Sequence, residues 1–98
     1  MSVVDEFRIS LQNIQIHPTK KDFIKLYLIF EKHDFLSLFE EMEQKYSRSR
    51  MSLTYILKTL IYFEDAELEP MPRLHSEIEW EAVKERMGEV VRGVSLQG

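Results

Sequence analysis

The chain has no cysteine, which excludes disulfides, thiolate nucleophiles and cysteine-ligated zinc, and it fits a reducing cytoplasm. Only three glycines occur, all at position 88 or later, so nothing upstream can form a glycine-rich phosphate-positioning turn. Aspartate is also scarce: Asp5, Asp22, Asp34 and Asp65 are the only four, and no two are separated by a single residue. No apolar run approaches the roughly 20 residues that span a bilayer, and MSVVDEF lacks the basic and apolar regions of a secretory leader. A soluble cytoplasmic protein without a membrane span is therefore expected.

Positive charge is missing where it would matter for nucleic acid. Between Glu64 and Glu81 seven carboxylates face the single cation Arg73, and the net charge is −4. Phosphate binding needs a basic stripe, so nucleic acid is disfavoured as a partner. Lys20, Lys21 and Lys25 form one small basic group and Lys45, Arg48 and Arg50 another, neither interleaved with aromatics expected at the surface. Both read as parts of a solvated mixed-charge surface.

What is present is apolar residues at helical spacing. With 98 residues, 44% hydrophobic and 31% charged, the chain has the length and composition of a single ordered domain, residues 1–98, with one core. Val4, Phe7, Leu11 and Ile14 fit a helix, although Phe7, Ile9 and Leu11 also alternate as in a strand. A lone strand would have no partner, so helix is expected. Thr19-x-x-Asp22 is a variant capping box ahead of Phe23, Leu26, Tyr27 and Phe30. Asp34 caps a third helix with Phe35, Leu38, Phe39, Met42 and Tyr46 on one stripe, and Glu41 and Lys45 are spaced to pair outside it. Ser47-Arg48-Ser49-Arg50 interrupts this stripe.

Ser52 caps a fourth helix through Leu53, Ile56, Leu57, Leu60 and Phe63, its apolar arc widened by Tyr55 and Ile61; it is expected to be the most buried. Trp80, Val83, Met87, Val90 and Val94 form the last helix, with Gly93 as a terminator. The fold class expected is all-α, a compact bundle of about five short helices.

The stretch FEDAELEPMP, Phe63 to Pro72, joins the last two helices. Glu64-Asp65-Ala66-Glu67 continues the fourth helix or forms its fraying end, and Pro70 and Pro72 stop it and push Glu69 and Met71 toward extended geometry. Its acids lack the glycine turn and ligand spacing of a calcium loop, so no metal and no cofactor is expected and the acids should face water. His17, His33 and His75 form no H-x-x-x-H or H-E-x-x-H pair and read as surface or cap residues. No arginine precedes a histidine by five positions, the R-x-x-x-x-H spacing of the HEPN ribonucleases, which disfavours that class of enzyme. Trp80 reads as a core anchor, because its stripe continues through Val83 and Met87.

LKTLIYFEDAELEPMPRL followed by IEWEAVKERM, with TKKDFIKLYLIF upstream, resembles the C-terminal part of the AbiEii/AbiGii toxin-type nucleotidyltransferase family. There a helix ending in Tyr-Phe-x-Asp-Ala-Glu leads through Pro-Met-Pro to a Trp-x-x-Val-Lys helix, and a Lys-Asp-Phe-x-Asp-Leu-Tyr helix precedes it. The order and spacing of the three blocks agree, and nearly the whole chain is covered. The resemblance marks Lys21, Asp22, Phe63, Asp65, Glu67, Pro70, Pro72 and Trp80 as motif residues.

It also implies what this chain lacks. The family's catalytic core is an N-terminal domain with a Gly-Ser or Gly-Gly turn and an Asp-x-Asp pair that holds magnesium against nucleotide phosphates, and neither motif occurs here. Ser10 and His17 stand where relatives place cations, and Lys25 replaces the second aspartate of the Asp-Phe-x-Asp helix. The resemblance therefore implies a non-enzymatic helical module that works by protein contact, as a homodimer or with a separately encoded nucleotidyltransferase domain. The enzyme-class alternative is a subunit completing a split nucleotidyltransferase, to which it would supply Lys21 and Asp22. A remnant without activity is the third reading.

Overall fold

A computed structural model of the chain describes residues 2–46, 52–73 and 77–97. Six helical elements follow one another: α1 (Val3–Ile16), α2 (Lys20–Phe30), α3 (Phe35–Lys45), α4 (Leu53–Leu60), the single turn α5 (Glu64–Glu67) and α6 (Trp80–Gln97). No strand occurs among the described residues, so the ambiguous first segment is a helix. The Ser47–Arg50 interruption and His75 lie outside the described residues.

The helices begin at side chains that satisfy otherwise orphaned N–H groups. Ser2 and Asp5 form a full capping box on α1: the Asp5 N–H donates to Ser2 Oγ (3.3 Å) and the Ser2 N–H to the Asp5 carboxylate (3.2 Å). The box expected at Thr19 is half made. Thr19 Oγ1 accepts the Asp22 N–H (3.3 Å), but the Asp22 carboxylate takes the Thr19 hydroxyl proton (2.7 Å) instead of the Thr19 N–H. Asp34 and Ser52 cap α3 and α4 through the N–H groups of Ser37 and Tyr55.

α2 is the buried axis of the fold, packed between α1 and α6. It contributes Phe23, Ile24, Leu26, Ile29 and Phe30 to the core, whereas α4 buries only Ile56, Thr59 and Leu60. The expectation that α4 is the most buried helix is thus corrected: Tyr55 and Ile61 point outward, leaving a narrow stripe against α1 and α6. Two turns separate Phe23 from Phe30, and each centres an aromatic triad. Phe30 meets Phe7 and Phe35 edge-on at 6.1 and 6.0 Å, with Phe7 and Phe35 5.8 Å apart. Phe23 meets Phe63 and Trp80 at 5.3 and 5.9 Å.

Gly93 does not end α6. The helix runs through it to Gln97 without a positive φ, and Val94 beyond it packs against the core. Nor do Glu41 and Lys45 form the expected pair. Lys45 turns to Asp5 at 2.9 Å, and Tyr46 donates its hydroxyl to the same carboxylate, strapping the end of α3 to the start of α1. The Arg8 guanidinium lies 4.1 Å from the Tyr46 ring centroid and closes the cluster.

The bonds from Tyr46 and then Lys45 hold the Asp5 carboxyl well below its ordinary value of 3.8, and the bond to Asp5 raises the Lys45 ammonium above 10.5. A depressed carboxyl adds stability that is present above its unfolded pKa and lost as pH falls toward the folded one. The raised ammonium adds stability that is lost only as pH rises past its folded pKa. Asp5→Asn should therefore melt below the wild type at neutral pH, and the gap should close as pH falls below about 4. A gap in melting temperature that stays constant from neutral to acid pH would contradict this role for Asp5.

Candidate functional site

The motif residues converge where the start of α2 meets the connector between α5 and α6. Phe63, Phe23 and Trp80 pack edge to face, Phe63 and Trp80 being 5.9 Å apart. Around these rings the polar groups are paired. Lys20 is only 8% exposed: its backbone N–H donates to Glu69 Oε1 (3.0 Å) and its Nζ to the Glu69 carbonyl (2.6 Å), 5.2 Å from the Trp80 ring centroid. Glu67 Oε1 accepts both Trp80 Nε1–H (3.0 Å) and Lys84 Nζ (2.7 Å). The bond from Lys84, then that from Trp80, lowers the Glu67 pKa, and the bonds to Glu67 and Glu81 raise that of Lys84.

This corrects the expectation that the acids of FEDAELEPMP all face water. Glu64, Asp65 and Glu67 are exposed and Glu69 is half-buried, but Glu67 and Glu69 are also bonded to the protein, where they hold the first residues of α6 and α2. The stretch also does not continue α4. The chain leaves the helix at Ile61 and restarts at Phe63 as a separate turn, burying Ala66 and bringing Phe63 over Phe23. Exposed Pro70 and half-buried Pro72 then hold the connector that returns Met71 and Trp80 to the core. Lys20, grouped with Lys21 and Lys25 as surface charge in the sequence, is here a buried brace.

The other motif residues lie apart from this junction. Asp22 accepts the Thr19 hydroxyl and Asn13 Nδ2–H (3.3 Å), and with Asn13, Ile16, His17 and Thr19 it lines a shallow groove at the α1–α2 turn. Lys21 is exposed beside it. His17 is the C-cap residue of α1, and His33 is exposed after α2. Among the described residues no three His, Asp or Glu side chains gather as a metal site, and no helix is long and apolar enough to cross a membrane.

A second groove, which shares only Asp65 with the family-motif residues, gathers three of the large exposed apolar side chains, while Leu28, Ile61 and Leu68 are exposed outside it. Ile16, Tyr55 and Tyr62 are 84%, 51% and 45% exposed, and they line it together with Pro18, Lys58, Thr59 and Asp65. Aromatic side chains with a polar tip suit a surface that is wet when free and desolvated when bound. The signal was present in the sequence. Tyr55, Lys58, Thr59 and Tyr62 follow i, i+3, i+4, i+7 spacing on α4 and just past it, a second stripe beside Ile56 and Leu60. No family model, curated protein or solved structure matches the chain.

Proposed function

We propose that the chain is a non-catalytic helical protein-interaction module, similar to the C-terminal part of a toxin-type nucleotidyltransferase without its catalytic domain, and that it acts in the cytoplasm. The observation that carries this reading is the groove of Ile16, Tyr55 and Tyr62, where large apolar side chains are exposed on a chain that buries its other aromatic clusters. The use made of the motif residues supports it as well. Phe63, Glu67 and Trp80 are spent on one another and on Lys84, and Asp22 on Thr19 and Asn13, so they act as structural groups. The partner is a second copy or a separately encoded chain.

The alternative, a subunit completing a split nucleotidyltransferase, draws on one feature: Asp22 lies in the groove at the α1–α2 turn, with Lys21 exposed beside it. Labelled-nucleotide transfer separates the two. The purified chain with magnesium is expected to leave RNA and protein unlabelled. Transfer by the wild type, lost on Asp22→Ala, would overturn the interaction-module reading.

A further inference from the structure

Ile16, 84% exposed, is the ridge between two grooves, one lined by Tyr55, Tyr62 and Asp65 and the other by Asp22. The face they make carries more negative charge than positive. Besides Asp22 and Asp65, exposed Glu64 belongs to it, because its carboxylate accepts the Tyr62 hydroxyl at 3.2 Å. Among the described residues Lys58 is the one lysine or arginine that lines either groove; Lys21 lines neither. The excess acts on the tip of Tyr62: the bond to Glu64, then the charges of Asp65 and Glu64, hold the hydroxyl's pKa above its ordinary value of 10.0. Such a face repels acidic surfaces. A second copy brings the same excess of carboxylates and a net charge of −4, and is disfavoured.

We propose that this face docks a basic segment of a different protein, one in which an arginine is flanked by apolar side chains, with the arginine set against Glu64 and Asp65 beside the Tyr62 ring. The inference rests on the interaction-module reading and chooses between its two partners. Each part of the segment answers a feature of the face. A guanidinium stacks on an aromatic ring while its fork of donors binds carboxylates, and Tyr62 with Glu64 and Asp65 offers both side by side. The apolar neighbours of the arginine cover exposed Ile16 and Tyr55. An aromatic and aliphatic centre desolvated inside a charged rim is where such interfaces gain their affinity.

A displayed library of random short peptides, selected on the purified chain, tests this without a partner chosen beforehand. Enriched sequences are expected to combine arginine or lysine with aliphatic or aromatic residues, and to lose their binding on Ile16→Asp. Changes of charge on the face should then move affinity in opposite directions. Glu64→Gln combined with Asp65→Asn should weaken a selected peptide roughly tenfold at low salt, and Lys58→Glu should strengthen it several-fold, a gain that an unfolded chain cannot give. High ionic strength should erase both differences. Enriched sequences without basic residues, a Lys58→Glu change that weakens binding, or neutralised acids without effect would overturn the proposal. The reading beneath it fails separately. Acidic or uncharged peptides that bind this face and are lost on Ile16→Asp overturn the basic partner alone, as does a wild-type dimer by light scattering that Ile16→Asp dissolves. A library in which no sequence is enriched on the wild type over Ile16→Asp overturns both.

Discussion

Phe23→Ala is expected to lower the stability of the chain by about 3–5 kcal/mol, a large share of the total for a domain of this size. Phe23 is fully buried, and its ring is the one on which Phe63 and Trp80 both rest. Removing it leaves a cavity where α2, Phe63 and Trp80 meet. Urea denaturation measures the effect. A loss below about 1 kcal/mol would mean that the aromatic junction is not a stabilising unit.

Glu69→Ala is the second large effect, about 1–3 kcal/mol, although Glu69 is a carboxylate in an acidic stretch. The cost comes from the other side of the bond. The Lys20 N–H belongs to the first turn of α2, where no helical carbonyl can serve it, and Lys20 is buried, so losing the Glu69 carboxylate leaves a donor out of water and without a partner. Glu69→Gln should cost less, because an amide oxygen still accepts. Glu64→Gln, at an exposed position, should stay within about half a kcal/mol. Equal, near-zero effects at Glu64 and Glu69 would contradict the brace.

The helices were legible because each stripe obeys one period. Val4, Phe7, Leu11 and Ile14 are all buried, as are Phe23, Leu26 and Phe30, and Asp34 and Ser52 cap where their residue types indicate. What misled was anything decided across the fold. Tyr55 and Ile61 are apolar enough to join the core arc, yet α4 packs on the core through Ile56 and Leu60 with Leu53 and Leu57 beside them, and leaves Tyr55 and Ile61 exposed. Lys45 has Glu41 one turn away but finds Asp5 forty residues upstream, where Tyr46 already anchors the carboxylate.

The junction was half legible. Proline geometry and the Phe63, Met71 and Trp80 contacts follow from the sequence, because prolines stop helices and aromatics seek burial. The bonds made by Glu67 and Glu69 do not, since acids are solvated by default and only the approach of Lys20, Trp80 and Lys84 gives half-buried Glu69 and exposed Glu67 their partners. The exposed Tyr55–Tyr62 groove was not legible for the opposite reason: its tyrosines look like core residues until the neighbouring helices are in place.

The acidic, proline-stopped stretch is a structural brace between the start of α2 and the start of α6. The amide hydrogen exchange of Lys20 tests it most directly, because a first-turn helix N–H exchanges quickly unless something outside the helix holds it. The Lys20 amide is expected to be clearly more protected than that of its neighbour Lys21, with the protection lost in Glu69→Ala while the α2 interior stays protected. A Lys20 amide exchanging as fast as Lys21 in the wild type, or one indifferent to Glu69→Ala, would contradict it.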